Sequence, residues 1–166
     1  MIRRKRIRFE APPPNPQTSR DLILPIEYKV TNRGETFLYN DNNDENHFLI
    51  FTTTQNLQLL KESENWFSDG TFKTVPSIFQ QLYTIHGLKN DAIFPLIYIL
   101  MTNKTRSTYT QVLVKLKQLQ PDLNPKTILI DFELGFKGAI SEIFQISLFK
   151  DVFSISLSAC GGKFKQ

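Results

Sequence analysis

Between two stretches of helical periodicity lies an unbroken apolar run, Ile128-Leu129-Ile130, closed by Asp131. A strand with one solvated face alternates apolar and polar residues, whereas a short continuous apolar run fits a strand buried on both faces. Before it, Tyr109, Val112, Leu113, Leu116 and Leu119 recur at helical spacing over 107–120, and Pro121 stops that helix. After it, Phe136, Ala139, Ile140 and Ile143 share one face of a second helix over 134–144. Upstream, strand-like segments occupy 65–75, 80–89 and 93–101, with a turn at Pro76-Ser77. The order β-β-β-α-β-α predicts an α/β protein with a mixed sheet.

Two carboxylates sit at hydrophilic breaks in this pattern, Asp69 in NWFSDGTFKTVP and Asp131 in KTILIDFELGFKGAI. A carboxylate at the tip of an apolar strand is costly unless it is paired, hydrogen-bonded or bound to a cation. If the two strands are neighbours, the pair can share hard divalent ions through oxygen ligands. Taken singly, each has an ordinary explanation. Asp before Gly forms turns, and Asp at a strand end often caps the next helix.

The chain of 166 residues has a formal net charge of +4, concentrated at one end. Arg3, Arg4, Lys5, Arg6 and Arg8 are five of the 20 basic residues, leaving 15 against 16 acids elsewhere. Such a run serves as a nuclear-import signal or a phosphate contact, or is simply a solvated tail. The single cysteine, Cys160, excludes an internal disulfide or a cysteine-rich zinc site, and His47 and His86 are the only imidazoles. No apolar stretch approaches bilayer length and no signal segment opens the chain, so a soluble, intracellular and nuclear protein without membrane contact is expected.

Residues 1–20 read as a basic and Pro-rich linker, with Pro12, Pro13, Pro14 and Pro16 holding the chain extended. Residues 21–64 read as an arm in which DLILPIEY and ETFLYND, separated by the turn Asn32-Arg33-Gly34, form two strands. HFLIF follows as a strand, and Thr52 with Gln55 has capping-box spacing before a short helix NLQLLKES. The main domain spans 65–150, and 151–166 is an aberrant tail.

The β-β-β-α-β-α order matches a ribonuclease H-like sheet, in which the first and fourth strands lie side by side. The words NLQLLKESENWFSDGTFKTVPSIFQQLYTIHG, FPLIYILMTNKTRSTY and ILIDFELGFKGAI, from about Ile50 through Phe144, resemble the transposase domain of Mutator-like elements (MULE), often found beside FLYWCH-type zinc fingers. PPPNPQTSRDLILPIEY resembles the segment preceding that domain, so the resemblance places the chain's start inside a longer transposase-derived protein. It implies a DD(E/D) nucleotidyl transferase for DNA transposition. On that resemblance Asp69 and Asp131 would match the family's first two acids and would bind Mg2+ or Mn2+, with the third acid coming from a helix further downstream. Glu133 is a tempting substitute, but first-turn acids favour helix N-termini for their own reasons. His86 reads as a partnered sheet residue, and Lys73 and Lys104 as ordinary surface lysines.

In the resembling group the second-acid helix is followed by a strand of the type GCFFHLSQ and a basic helix; here the chain reads DVFSISLSACGGKFKQ. Restoring one adenine at the Lys150 codon permits KGCFFHLSQRMWRKIQ in the neighbouring frame, so the tail is expected to be out of frame, through a single-base loss or a misplaced exon boundary. The expected result is a C-terminally incomplete sheet whose outer edge has lost its partner. The chain then has no downstream third acid, binds metal weakly and does not cleave DNA. The alternative is a non-catalytic nucleic-acid or protein-binding module derived from a transposase, with DNA held by the basic arm.

Overall fold

The computed structural model describes residues 16–41, 46–71, 75–130 and 133–144 and the backbone of 149–151. Its strands are Leu38–Asp41 (β1), Phe48–Phe51 (β2), Asn65–Thr71 (β3), Gln81–Lys89 (β4), Ala92–Met101 (β5), Thr127–Ile130 (β6) and Phe149–Asp151 (β7). Its α-helices are Thr54–Glu62 (α1), Arg106–Leu119 (α2) and Leu134–Phe144 (α3). All seven strands join one sheet in the order β1-β2-β5-β4-β3-β6-β7. Strands β3, β4 and β5 are antiparallel neighbours, and β6 lies parallel beside β3. The mixed α/β class and the order of elements over 65–144 thus follow the periodicity of the sequence.

Alternation along the strands sends Phe48, Ile50, Trp66, Tyr83, Ile85, Ile97, Ile99, Ile128 and Ile130 into one buried cluster. Leu57 and Leu60 of α1, Tyr109, Val112, Leu113 and Leu116 of α2, and Phe136, Ala139 and Ile140 of α3 join the same cluster. The helical positions are those that spacing alone selects, and burying each aliphatic side chain contributes about 1.5–3 kcal/mol. The hairpin between β4 and β5 turns on Asn90 and Asp91, both at positive φ (51° and 60°), which short polar side chains tolerate.

Helix α1 starts one residue later than the capping-box spacing predicts. Thr53 is the N-cap, its hydroxyl accepting from the Asn56 N–H at 3.1 Å. Thr52 is fully buried and donates its hydroxyl to the Leu96 carbonyl at 3.0 Å. Asn56 Nδ2 donates to that same oxygen at 3.1 Å. These bonds dress the outer side of β5 where it runs beyond its partner β2, next to Pro95, which has no N–H to offer. At the other end of α1, the Trp66 indole N–H reaches the carbonyls of Leu60 (3.2 Å) and Ser63 (3.0 Å), tying β3 to the helix.

Two further expectations are corrected. DLILPIEY is not a strand: Pro25 precedes a single 3-10 turn over Ile26–Tyr28, and Ile23, Ile26 and Tyr28 are exposed. Only an isolated bridge, Val30 with Thr36, survives of the two-stranded arm, around Gly34 at φ 79°. The second patch instead gives β1, which pairs with β2 and so joins the main sheet. The outer side of β6 also has a partner, since the three residues of β7 pair with it in parallel, Ile128 with Phe149 and Ile130 with Asp151.

Candidate active site

Strands β3 and β6 run in parallel with Trp66 beside Ile128, Phe67 beside Leu129 and Ser68 beside Ile130. Their carboxyl ends therefore open at the same end of the sheet, where α/β proteins place ligands. Ser68 is buried; its hydroxyl accepts from the Tyr83 hydroxyl at 2.9 Å and reaches the Leu129 carbonyl at 3.4 Å. Asp69 follows it, paired with Thr84 on β4 and exposed. By strand alternation its side chain leaves the face opposite to the helices, the face that also bears Phe67 and Leu129. It has no ion pair or hydrogen bond to a described residue.

Asp131 lies outside the described residues. The residues directly preceding the two aspartates, Ser68 and Ile130, are a registered pair. The basic run Arg3, Arg4, Lys5, Arg6 and Arg8 also lies outside the described residues, as do Lys73 and Cys160.

Beyond that gap, Glu133 begins the turn into α3, its carbonyl accepting the Lys137 N–H at 3.0 Å. Its carboxylate is 3.6 Å from the Lys104 ammonium and only 20% exposed. Near it three aromatic rings pack edge-on and tilted against one another. Tyr83 is 5.2 Å from Tyr109 and 4.6 Å from Phe136, centroid to centroid, and Tyr109 is 5.3 Å from Phe136. Burial pushes the Tyr83 hydroxyl well above its ordinary pKa; the Ser68 hydrogen bond opposes this, and the negative charges of Glu133 and Asp69 add to the rise. Burial likewise raises Tyr109; its bond from Gln81 opposes the rise and the facing Glu133 carboxylate strengthens it.

The two histidines stand apart from this end. His86 is half-buried in β4, opposite Phe67 and Pro95. His47 is buried beside β1, with Nε2 3.0 Å from Asp41 Oδ1. Among the described residues no group of three or more His, Cys, Asp or Glu side chains converges. The oxygen donor of Asp69 suits a hard divalent ion, but one or two carboxylates hold such an ion weakly. No helix among the described residues is long and apolar enough to cross a membrane.

Sequence spacing had set Glu133 and Lys104 aside as a helix-start acid and a surface lysine; the fold brings them together. The aromatic cluster was equally invisible, because its rings come from β4, α2 and α3. Its one local signal is Tyr83 on the same strand parity as the core residue Ile85.

The sequence pattern of the MULE transposase domain matches residues 65–150, just over half the chain and all of the site described above. No curated protein matches the chain.

Proposed function

Because the chain belongs to the MULE transposase domain family, we propose that it is a transposase-derived DNA-binding protein whose Asp69 and Asp131 are the family's first two metal-binding acids. The observation that carries this reading is the parallel register of β3 and β6, which sets Ser68 beside Ile130, each one residue before an aspartate. The antiparallel β3–β4–β5 unit, the fourth strand beside the first, and α2 and α3 on one face support a ribonuclease H-like topology.

Family membership brings the expectation of a divalent ion, Mg2+ or Mn2+, which when bound activates a water or 3′-hydroxyl and stabilises the leaving oxygen of a phosphodiester. Asp69 offers such an ion an uncommitted oxygen donor. Glu133, the other carboxylate near this end, is engaged by Lys104. We therefore read this chain by itself as inactive in strand cleavage and transfer. DNA is the proposed partner, held by Arg3, Arg4, Lys5, Arg6 and Arg8, and the nucleus the proposed location.

Single-turnover nicking of supercoiled DNA in Mg2+ or Mn2+ tests the catalytic half, and no nicking is expected. Nicking that Asp69→Ala abolishes would overturn the inactive reading. DNA affinity measured against salt concentration tests the binding half: removal of residues 1–8 should erase a salt-sensitive affinity that Asp69→Ala leaves intact. Affinity indifferent to that removal would sink the role of the basic run.

A further inference from the structure

The side of the sheet that faces away from the three α-helices holds a cleft at the start of β3 and β6. Strand alternation puts Asn65 and Phe67 of β3, Leu88 of β4, and Thr127 and Leu129 of β6 on that side. All five are half-buried, and together they line a hollow of about 300 Å3. The parallel register closes it, with Asn65 beside Thr127 and Phe67 beside Leu129. Trp66 and Ile128, whose side chains are buried on the helix side, give it a floor of backbone. Its walls are apolar except for one pair. The Thr127 hydroxyl donates to Asn65 Oδ1 at 2.5 Å, which orients the amide and leaves Asn65 Nδ2 a donor with no acceptor among the described residues.

Such a volume lies at the small end of ligand sites, on the scale of a single flat ring system, and a lone polar group on apolar walls is how these sites fix orientation. The strand that builds the cleft also carries Asp69, two residues beyond Phe67 and on the same face. From Asn65 to Asp69 the strand covers about 13 Å, a distance that a few nucleotides of one nucleic-acid strand bridge. An aromatic wall and an edge-reading amide are the contacts a splayed-out base takes, whereas a base inside a duplex keeps its faces stacked on its neighbours. No carboxylate lines the cleft to repel a phosphate backbone.

We propose that this cleft binds one unpaired base of a DNA strand whose backbone passes Asp69, with Phe67 as the stacking wall and Asn65 as the group that reads the base edge. This rests on the reading of Asp69 as an acid facing a phosphodiester, and adds a contact made to a base rather than to phosphate. The amide offers a donor, so it suits an edge rich in acceptors: thymine presents O4 where cytosine presents an amino group.

The test is the fluorescence anisotropy of labelled oligo(dT), oligo(dC) and a blunt duplex of the same length, titrated with the full chain in enough salt to screen the basic run. Oligo(dT) should bind more tightly than oligo(dC) and more tightly than the duplex. Phe67→Leu, which keeps an apolar side chain and removes the ring, should weaken oligo(dT) binding about tenfold. Asn65→Asp keeps the acceptor for Thr127 and removes the outward donor, so it should move the preference toward oligo(dC), a change that a merely structural role of Asn65 would not produce. Circular dichroism monitors the fold, and if Phe67→Leu unfolds the chain, the base preference of Asn65→Asp decides alone. If the folded variants bind both oligonucleotides as the parent does, the cleft takes no base and the proposal is overturned; binding at low salt that is lost with residues 1–8 would then leave the DNA reading standing. Duplex bound as tightly as oligo(dT) would equally overturn it. A chain that binds no DNA at any salt concentration removes the DNA reading and this inference together.

Discussion

Trp66→Phe removes one N–H donor and one ring from a site where both are accounted for. The indole is 1% exposed, bonds the carbonyls of Leu60 and Ser63, and meets Phe144 edge-on at 5.5 Å. After substitution the Leu60 carbonyl keeps the Ser63 N–H at 3.2 Å, so one oxygen, that of Ser63, loses its donor. A buried polar atom stripped of its partner costs about 1–3 kcal/mol. The volume left by the missing ring atoms adds about 1 kcal/mol, in line with cavity costs in packed cores. The expected loss is about 2–4 kcal/mol, and at about 2–4 °C per kcal/mol for a chain of this size the Tm should fall by about 5–15 °C. Urea unfolding followed by far-ultraviolet circular dichroism measures the difference, with an unchanged m-value expected. Trp66 is the only tryptophan in the chain, so its fluorescence gives a second probe in the parent protein. A loss below about 1 kcal/mol would refute the argument, because it would mean that Ser63 is readily solvated and that the indole does not anchor α1 to β3.

Gly87 sits opposite Trp66, and a methyl carbon there would meet Ser63 Oγ and lie 2.8 Å from Leu96 Cδ1; Gly87→Ala should therefore cost about 1–3 kcal/mol, read from the same urea titration. Thr53→Ala should cost about 1 kcal/mol through loss of the N-cap of α1. Thr52→Val, by contrast, should cost less than about 1 kcal/mol, because the Leu96 carbonyl keeps Asn56 Nδ2; the opposite ranking in thermal melts would return the cap to Thr52. Tyr83 and Tyr109 are raised by burial, so their folded pKa values exceed the unfolded value near 10. Stability from keeping them neutral is fully present below that value and drains away as pH climbs above it. Phenolate absorbance should show these two hydroxyls ionising only together with unfolding; their titration in a protein with unchanged circular dichroism would contradict their burial.

Much of the architecture was legible because its causes are local. The spacing of Tyr109, Val112, Leu113 and Leu116 demands a helix whatever surrounds it, and Pro121 ends it. The apolar run before Asp131 likewise reads as a strand, but not one buried on both faces: Ile128 and Ile130 are buried, whereas Thr127 and Leu129 on the other face are only half-buried. Within the expected ranges β3 is described over Asn65–Thr71 and β6 over Thr127–Ile130, and residues 72–74 and 131–132 lie outside the described residues.

Misreadings arose where the deciding partner is distant in sequence. Thr52 and Thr53 differ only in that Leu96, more than forty residues away, claims the first. DLILPIEY is apolar enough for a strand, but finds no sheet edge and turns after Pro25. Of the candidate site, Asp69 was legible as a carboxylate interrupting a strand. The ion pair of Glu133 with Lys104 was not, since the two lie far apart in the chain.

The bonds on the outer side of β5 bear on how copies of this protein meet. Ile93 and Phe94 are 52% and 45% exposed near the tip of the β4–β5 hairpin, which makes that tip adhesive. Stickiness without a template is harmless. A strand arriving there from another molecule would find the Leu96 acceptor already claimed by Thr52 and Asn56, and at Pro95 no hydrogen to share. At Pro95 and Leu96 the hairpin can therefore touch apolar neighbours without offering them the hydrogen bonds that would extend a ladder.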